Sequence, residues 1–258
     1  MLINFYMSDK KCILLTGGNG YIGSHILLEL AKKEYDIIIA DNLSNSTKNN
    51  VNYIKNITNA NISFYNVDFT EKSSIRSIFC VRKIFCVIHL AGLKSVKESV
   101  DDPIKYYDIN INSMLNLIGV MNQYECYNLI FSSSATVYGN ETSPHSETTT
   151  TGNNIASPYG KTKYFQEEIL KDYANTNPLW KIIILRYYNP IGGIIEENPV
   201  GVPNNLFPYI VKVYKKEYDL LSIFGCDYNT YDGTCVRDFI DVRDLAIGHI
   251  KAIDYMST

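Results

Sequence analysis

Short apolar runs rich in β-branched residues alternate with longer amphipathic stretches along most of the chain. Typical runs are Ile37-Ile38-Ile39 and Ile182-Ile183-Ile184, which lack the apolar–polar alternation of a strand with one face in water. Strands that are buried on both faces belong to parallel sheets, and the amphipathic stretches between them form the crossover helices. The alternation therefore predicts an α/β fold with a doubly wound parallel sheet.

The bounds of the elements follow from the same pattern and its turn residues. We predict strands at residues 12–16, 36–40, 62–66, 86–90, 128–132 and 181–186, and helices at residues 21–33, 51–57, 71–79, 103–123 and 158–174. The pattern changes after Arg186, because residues 189–208 are rich in Pro, Gly and Asn and are predicted to form a loop. A short helix, a strand near residues 220–224 and a helix near residues 242–255 are predicted to follow.

Charge and cysteine usage exclude several classes of function. The formal net charge is −3, which argues against a nucleic-acid partner, and no apolar run is long enough to span a membrane. The six cysteines form no C-x-x-C pair, and only four histidines accompany them. This argues against a metal site or a disulfide framework and favours reduced thiols in a cytoplasmic protein.

The first predicted strand ends in a glycine-rich turn, in which Gly17, Gly20 and Gly23 form the pattern G-x-x-G-x-x-G. Glycines permit a tight turn and let a pyrophosphate approach the backbone, and the following helix points its free N–H groups at the phosphates. A plain strand–turn–helix connection is the alternative. Asp41 stands 18 residues beyond Gly23, where a carboxylate accepts hydrogen bonds from a ribose diol and repels a 2′-phosphate. Together they predict a Rossmann-type site for NAD rather than NADP, with Asp41 as a simple turn residue the alternative.

Two further strand ends would meet at the same edge of the sheet. Asp68 and Phe69 end the third strand, where an adenine would lie. Leu90, Ala91 and Gly92 end the fourth strand, and small residues there would let a dinucleotide lie across the sheet. Without the glycine-rich turn, this segment would be predicted only as a loop.

Tyr159 and Lys163 stand four residues apart on a predicted helix that begins at Pro158. A cation beside a phenol stabilises the phenolate and lowers its pKa, which makes a tyrosine usable as a general base. Ser134, at the end of the fifth strand, would share the proton of a substrate with Tyr159. The alternatives are a surface helix pair for Tyr159 and Lys163 and a strand-end cap for Ser134.

Eight segments in one order carry a family resemblance, which covers nearly the whole chain from Lys11. The segments are TGGNGYIGS, DNLSNS, HLAGLK, SSSATVYG, SPYGKTK, LRYYNP, VPNNL and DGTCVRD. Together they closely resemble the NAD-dependent sugar-nucleotide epimerases of the extended short-chain dehydrogenase/reductase family. The resemblance implies a Rossmann domain, NAD as cofactor and an enzyme that interconverts UDP-glucose and UDP-galactose by transient oxidation at sugar C4, via a 4-keto intermediate. It also implies a homodimer, in which the helices at residues 103–123 and 158–174 pair with their symmetry mates.

The resemblance assigns roles to individual residues. The catalytic set would be Ser134, Tyr159 and Lys163, of which Ser134 and Tyr159 also touch the substrate. Besides Tyr159, Lys163 and the residues of the glycine-rich turn and the fourth strand end, NAD contacts would come from Tyr21, Ile22, Asp41, Asn42, Asn45, Ser46, Asp68, Phe69, Lys94, Asn110 and Tyr188. Contacts with the UDP-sugar would come from Asn189, Asn205, Leu206, Phe224 and Arg237. We therefore predict an N-terminal extension at residues 1–10, an NAD-binding domain at residues 11–188 and a partial substrate lobe at residues 189–258.

The chain departs from the family pattern at several positions. Tyr188 stands where a Phe is usual, and Cys235 stands where a Gly is common. Residues 193–198 form a shorter segment than the family's loop. The family continues for several tens of residues past the position of Thr258, so we expect a fragment or a natural truncation that retains NAD binding more readily than turnover.

Two rival functions are compatible with parts of the pattern. A nucleotide-sugar 4,6-dehydratase would share the cofactor and the Tyr–Lys pair, but such enzymes carry Asp-Glu directly after the residue matching Ser134. This chain has Ala135 and Thr136 there, neither of which is an acid or base for elimination. A non-catalytic NAD-binding protein is the other rival, because the substrate lobe is predicted to be incomplete.

Overall fold

The structure is a computed structural model, and it describes residues 10–193, 205–223 and 225–258. Its helices are α1 (Tyr21–Ala31), α2 (Asn49–Ile57), α3 (Lys72–Val81), α4 (Val96–Asp101), α5 (Pro103–Gln123), α6 (Pro158–Ala174), α7 (Leu206–Tyr214) and α8 (Val242–Met256). Its strands are β1 (Cys12–Thr16), β2 (Asp36–Asp41), β3 (Asn61–Asn66), β4 (Ile84–His89), β5 (Asn128–Ser134), β6 (Lys181–Tyr187), β7 (Asn189–Ile191) and β8 (Phe239–Asp241). A 3₁₀ turn at Ala135–Tyr138 follows β5 directly.

Six parallel strands form the main sheet in the order β3-β2-β1-β4-β5-β6. The order reverses beside β1, whose Leu14 pairs with Ile38 on one side and with Val87 on the other. In open α/β sheets, ligands bind outside the carboxyl ends of the strands at such a switch point. The predicted fold class, a doubly wound parallel sheet of Rossmann type, is confirmed, and the switch point places the glycine-rich turn at its edge.

The core consists of two apolar layers, one on each face of the sheet. Side chains of α3, α5 and α6 pack on one face around Leu14 and Phe131, and side chains of α1 and α8 pack on the other around Leu15 and Ile130. Each strand therefore sends successive side chains to opposite layers. Coverage of both faces explains why β1, β2 and β4 are almost entirely apolar.

Several predicted bounds differ from the structure. β5 and β6 extend to Ser134 and Tyr187, one or two residues past their predicted ends. The helix α4, which Ser95 caps by accepting from the Glu98 N–H, was not predicted, because six residues are too few to show a periodicity. These differences leave the order of the main elements as predicted.

Two predictions past Arg186 were wrong. The segment predicted as a loop contains the short strand β7 and the start of α7, and no strand forms at residues 220–223, the described part of the strand predicted near 220–224. β7 pairs in parallel with β8 as a separate two-stranded ribbon. Both strands have only three residues, and a pairing between segments so far apart in sequence leaves no local pattern.

The last helix, α8, returns to the main sheet. Its residues Ala246, Ile250 and Ile253 are buried in the same layer as α1. The domain boundary at residue 188 stays a prediction, but α8 belongs by packing to the core of the sheet. None of the helices in the described part of the chain has the length and apolar character needed to cross a membrane.

Candidate active site

The glycine-rich turn brings β1, β2 and β4 together at the carboxyl edge of the sheet. Gly17 adopts a φ of +67°, its N–H donates to Ala40 O at 2.8 Å, and a Cβ on it would lie 3.0 Å from Ala91 N. A Cβ on Gly23 would lie 2.3 Å from Gly17 O, so only glycine lets α1 pack this closely on the turn. Gly20 precedes the first residue of α1 and has no side chain to cap its N–H groups. The first turn of α1 therefore offers the backbone donors that a pyrophosphate requires.

Asp41 lies at the end of β2 and is 6% exposed. Its Oδ2 accepts from the Asn19 N–H at 3.0 Å, and its Oδ1 accepts from the Leu43 N–H and the Ser46 hydroxyl. The structure thus brings Asp41 and Ser46 together and also supports the interpretation of Asp41 as a turn residue. A carboxylate can accept more than these three hydrogen bonds, so Asp41 can shape the turn and also accept from a ribose.

Asp68 lies opposite Asn42, whose side-chain amide donates to it at 3.1 Å. Burial alone would raise the pKa of Asp68, but hydrogen bonds from Thr70 and Asn42 lower it below its ordinary value. Asp68 is therefore ionised at neutral pH. Asn45 is exposed on the loop that follows β2.

Other residues predicted to contact NAD have structural partners. The ring of Phe69 is buried in the core beside His89, and the Tyr21 hydroxyl donates to Gly192 O at 2.7 Å. Asn110 fixes the loop after β4, since its Oδ1 accepts from the Leu93 N–H and its Nδ2 donates to Leu93 O and to Thr162. Ile22 packs against the core, while Lys94 is exposed.

Thr16 also fixes the loop after β4 through hydrogen bonds. The Thr16 hydroxyl oxygen accepts from the N–H groups of Leu90 and Ala91 and lies 2.9 Å from His89 Nδ1. Burial, together with the charge of Lys163, lowers the pKa of His89 to about 3, so its ring is neutral. Gly92 turns the chain away from the sheet at a φ of +151°.

Ser134, Tyr159 and Lys163 meet at the end of β5. Ser157 caps α6 by accepting from the Gly160 N–H, and Pro158 occupies the first turn, so Tyr159 and Lys163 stand one turn apart at the start of the helix. The ammonium of Lys163 donates to Ser132 O at 2.7 Å and lies 4.8 Å from the centre of the Phe131 ring. The Ser134 hydroxyl oxygen accepts from the N–H and the hydroxyl of Thr136, at 3.2 and 3.0 Å.

The pKa values of Tyr159 and Lys163 differ from those expected from the sequence. Burial raises the pKa of Tyr159, while the neighbouring Ser134 hydroxyl acts in the opposite direction. Burial lowers the pKa of Lys163 to about 8, and the charge of Glu167 opposes that shift. The prediction of a lowered pKa for Tyr159 is therefore wrong for this structure, because burial of the phenol outweighs the effects that lower its pKa.

An ion pair that the sequence did not predict lies directly beneath Lys163. Glu167 is fully buried and accepts from Arg186 through both carboxylate oxygens, with an Nη2–Oε2 distance of 2.7 Å, and from the hydroxyl of Ser133. Arg186 also donates to the hydroxyl of Tyr138 at 3.2 Å. Glu167 and Arg186 lie 19 residues apart in the sequence, so no local pattern marks this ion pair.

The residues predicted to contact the sugar lie around the β7–β8 ribbon. Asn189 pairs with Phe239, and its side-chain amide donates to Asp238 O at 2.8 Å, next to the exposed Arg237. Asn205 precedes α7, and Leu206 is half exposed at the start of that helix. Among the described residues, no hydrogen bond joins Asn189 or Arg237 to Asn205 or Leu206. Phe224 lies outside the described residues.

Tyr188 has a partner that the sequence did not indicate. Its hydroxyl lies 3.1 Å from His145 Nδ1, and the His145 ring stacks on Tyr138 with ring centres 4.5 Å apart. The unusual hydroxyl at this position is thus used in a contact with the loop before α6. Thr136, Glu167, Arg186 and His145 are the polar neighbours of the site that sequence reasoning missed.

A bound dinucleotide fits this edge of the sheet. The glycine turn leaves a cradle that a side chain would fill, and the side-chain amide of Asn19 is buried in the turn without a hydrogen-bond partner among the described residues. Buried amides are nearly always hydrogen-bonded in complete structures. The donors of α1, the ionised Asp68 and the carboxylate of Asp41 then match the phosphates and hydroxyls of such a ligand.

Comparison with known proteins places the chain among close relatives. Residues 13–258 match the family described as NAD dependent epimerase/dehydratase family. The chain is 47% identical over 250 residues to UDP-glucose 4-epimerase of Erwinia amylovora, a match that covers 95% of this chain and 74% of that enzyme. It is 47% identical over 247 residues to UDP-glucose 4-epimerase of Bacillus subtilis, covering 94% of this chain and 72% of that enzyme.

Solved structures give the same result. The fold superposes with a TM-score of 0.91 and 44% identity on the crystal structure of UDP-glucose 4-epimerase from Bifidobacterium longum in complex with NAD+ and UDP. This match covers 95% of this chain and 74% of that chain.

Proposed function

Because the chain belongs to the NAD dependent epimerase/dehydratase family, we propose that it is an isomerase that interconverts UDP-glucose and UDP-galactose with NAD as its cofactor. The observation that carries the proposal is the meeting of Ser134, Tyr159 and Lys163 at the edge of the sheet that also holds the glycine-rich turn. The relatives named UDP-glucose 4-epimerase support the substrate, and the solved structure in complex with NAD+ and UDP supports the cofactor.

We propose that the cofactor site is formed by residues at four strand ends. The N–H groups at the start of α1 would hold the pyrophosphate, Asp41 would accept from the adenosine ribose, and Asp68 would lie toward the adenine. Lys163 would reach the nicotinamide ribose. Bound NAD would supply the acceptor of a hydride from sugar C4 and return that hydride to the opposite face of the 4-keto sugar.

Tyr159 would move the proton of the sugar 4-hydroxyl. As a phenolate it accepts this proton while C4 is oxidised, and as a phenol it returns the proton when the keto sugar is reduced. Ser134 would share the proton, since its hydroxyl lies beside Tyr159 and is oriented by Thr136. Because burial raises the pKa of Tyr159, ionisation of the phenol requires positive charge in the filled site.

We propose that Asn189, Asn205, Leu206 and Arg237 contact the UDP-sugar, with Phe224 completing the set. Arg237 is exposed beside the ribbon, and its guanidinium suits the diphosphate, because planar donors bind phosphate oxygens in pairs. Asn189 lies two residues past the end of β6, close to the end of β5 that carries Ser134. Tyr188, between them, would line the nicotinamide end of the site.

We further propose a homodimer formed by α5 and α6, and we keep the cytoplasmic location as a prediction from the cysteine pattern. Ile104, Tyr107, Ile111 and Leu115 repeat along one side of α5, and Ile104 and Leu115 are 75% and 45% exposed. Phe165 on α6 is 43% exposed and contacts the ring of Tyr107. An apolar surface shared by two adjacent helices fits a self-complementary interface.

The deciding experiment is a chromatographic assay of UDP-galactose conversion with mass measurement of retained NAD. Formation of UDP-glucose without added reductant supports the epimerase. NAD retention without conversion would instead favour a non-catalytic NAD-binding protein. Loss of water from the sugar would indicate a dehydratase, which the structure disfavours because Ala135 and Thr136 of the 3₁₀ turn carry no carboxyl group.

A further inference from the structure

A run of three serines ends β5, and its first two residues are bonded to α6. The ammonium of Lys163 donates to Ser132 O at 2.7 Å, and the Ser133 hydroxyl donates to a carboxylate oxygen of Glu167. Lys163 and Glu167 stand four residues apart, so they lie on one face of the helix. Two successive residues of the strand are thus bonded to two successive turns of α6, and Ser134 is the next residue of the strand.

This end of β5 has a paired strand on one side only, among the described residues. The pairing with β4 ends at Phe131, whereas the pairing with β6 continues to Ser134, opposite Tyr187. A segment with fewer backbone partners opens more easily than the centre of a sheet. The position of the serine run therefore depends on its side-chain contacts.

The carboxylate of Glu167 joins β5 to β6 at one level of the sheet. Arg186 is the strand partner of Ser133, and its guanidinium donates to both carboxylate oxygens, with Nε–Oε1 and Nη2–Oε2 distances of 3.0 and 2.7 Å. Glu167 is fully buried, and so is nearly all of Ser133. A guanidinium that binds in this way fixes the orientation of a carboxylate as well as its position. The acceptor of the Ser133 hydroxyl is therefore held in one place.

Arg186 also bonds to the chain beyond Ser134. Its Nη1 donates to the Tyr138 hydroxyl at 3.2 Å, and its guanidinium lies 5.0 Å from the centre of the Tyr138 ring. Tyr138 is the last residue of the 3₁₀ turn that follows Ser134, and its hydroxyl donates to Ser146 O at 3.1 Å. The ion pair thus bonds to the chain before Ser134, through Ser133, and after it, through Tyr138.

We propose that Glu167 and Arg186 are positioning residues for the active site, which hold the chain on both sides of Ser134 and so fix its hydroxyl at the edge of the sheet. The Ser134 hydroxyl oxygen accepts from the N–H and the hydroxyl of Thr136, so its orientation depends on the same turn. The consequence for turnover rests on the proposed function, while the placement of this segment does not.

Two substitutions release the two sides of Ser134 separately. Ser133→Ala removes the hydroxyl that bonds to Glu167 and leaves the ion pair in place. Tyr138→Phe removes the hydroxyl that accepts from Arg186 and leaves the aromatic ring. Each change deletes a single oxygen atom, so the packing of the side chains is retained.

A third substitution acts on the ion pair itself. Glu167→Gln keeps the shape of the side chain and removes its charge, which weakens the bond to Arg186. Glu168→Gln is the matched control, because the same change one residue further along α6 affects an exposed pair with Lys171.

The first measurement is amide hydrogen exchange, followed by NMR in the whole chain. The Thr136 N–H is bonded to the Ser134 hydroxyl, and the Gly139 N–H is bonded to Thr136 O. Each of the three substitutions should raise the exchange rates of these two amides by at least about tenfold more than those of the amides of β2, which exchange by global unfolding. Glu168→Gln should leave both groups of amides unchanged.

The ratio between the two groups of amides decides between a positioning role and a general effect on stability. An ion pair that only stabilises the fold would raise exchange in β2 and in the turn by the same factor, and that result would overturn the proposal. Unchanged exchange of Thr136 and Gly139 in Ser133→Ala would overturn it as well. Ser133→Ala keeps the test decisive if Glu167→Gln does not fold.

The second measurement is turnover of UDP-galactose. A displaced Ser134 hydroxyl should lower kcat about tenfold in Ser133→Ala, with a much smaller change in KM. In a Ser134→Ala background, Ser133→Ala should have little further effect on kcat, because no hydroxyl is left to position. A fully additive loss, or a change in KM alone, would count against the positioning of Ser134. If the wild type does not convert UDP-galactose, the proposed function fails, and the exchange rates still decide whether the ion pair holds this segment.

Discussion

Tyr159 and Lys163 stand one helical turn apart, and burial shifts their pKa values in opposite directions. It raises the pKa of the phenol and lowers that of the ammonium to about 8, so it favours the uncharged form of each group. Lys163 stays charged near neutral pH because Ser132 O accepts a hydrogen bond from its ammonium and the charge of Glu167 raises its pKa. At the scale of residues, the site therefore holds one positive charge beside one neutral acid.

Tyr159→Phe should abolish epimerisation and leave NAD binding nearly unchanged. The substitution removes only the ionisable oxygen, and loss of a positioned base slows the step by roughly 10²- to 10⁴-fold. Ser134→Ala should cost less, because Tyr159 remains as the base. The measurement is the rate of UDP-galactose conversion together with retained NAD. Tyr164→Phe, on the same helix, is the control, and near-normal turnover in Tyr159→Phe would refute the assignment.

Lys163→Met should stabilise the fold near pH 7. The pKa of Lys163 is about 8 in the folded state and 10.5 in its ordinary state, so the unfolded chain binds the proton more tightly. Stability of the wild type therefore rises between pH 8 and 10.5, and the charged lysine costs about 3 kcal/mol below that window. Urea unfolding at pH 7 and pH 10.5 should show an advantage of Lys163→Met that shrinks at the higher pH. Lys161→Met is the exposed control, and a pH-independent difference would contradict the burial argument.

Asp41→Asn should weaken the preference for NAD over NADP. The amide keeps an oxygen for the Leu43 N–H and the Ser46 hydroxyl, but it loses the charge that repels a 2′-phosphate. A change of about 1.4 kcal/mol in relative affinity corresponds to a factor of about ten. Calorimetric titration of the wild type and of Asp41→Asn with NAD and with NADP measures this change in relative affinity. Asp41→Ala should in addition destabilise the fold by about 1–3 kcal/mol, since buried donors lose their acceptor. Equal affinity of the wild type for NAD and NADP would contradict the proposed role of the Asp41 charge.

At the scale of elements, the decisive contact is that of α1 with the glycine-rich turn. The helix begins at Tyr21, directly beneath the turn, and Gly23 leaves no room for a Cβ beside Gly17 O. The donors at the start of the helix lie at the edge of the sheet only because of this close approach.

Gly23→Ala should therefore displace α1 and impair NAD binding. Its Cβ would lie 2.3 Å from Gly17 O, so backbone must move, at a cost of about 1–3 kcal/mol. Gly248→Ala is a matched control, because it lies on α8 with nothing within 4 Å of its Cβ. That control should stabilise the helix by about 0.5–1 kcal/mol. Thermal unfolding and NAD titration of both variants make the test, and unimpaired NAD binding in Gly23→Ala would count against the close-packing argument.

At the scale of the whole molecule, the exposed apolar face of α5 and α6 predicts a dimer. Leu115→Glu and Phe165→Glu should each give a monomer, because a charge at the centre of a self-complementary interface meets its own copy. Light scattering at micromolar concentration measures the mass. Tyr255→Glu, exposed on α8, should not change it. A monomeric wild type would refute the dimer.

Local patterns in the sequence were sufficient for the strands of the main sheet and for both ends of α5 and α6. α5 and α6 have their predicted bounds, because Pro103 and Pro158 follow capping residues and each helix carries a long amphipathic repeat. The glycine spacing and Asp41 predicted the switch-point edge for the same reason, since each feature lies within a few residues of a strand end. Periodicity, caps and turns are properties of neighbouring residues, so the sequence by itself determines them.

The tertiary structure alone decided which distant polar groups meet. Glu167 and Arg186 pair because α6 crosses the face of β6, and Tyr187 reaches His249 because α8 returns to the sheet from 62 residues further on. Neither pairing has a period or a turn signal, and the same holds for the β7–β8 ribbon. The pKa of Tyr159 was mispredicted for this reason as well. Burial depends on how the elements pack, and spacing along one helix carries no information about it.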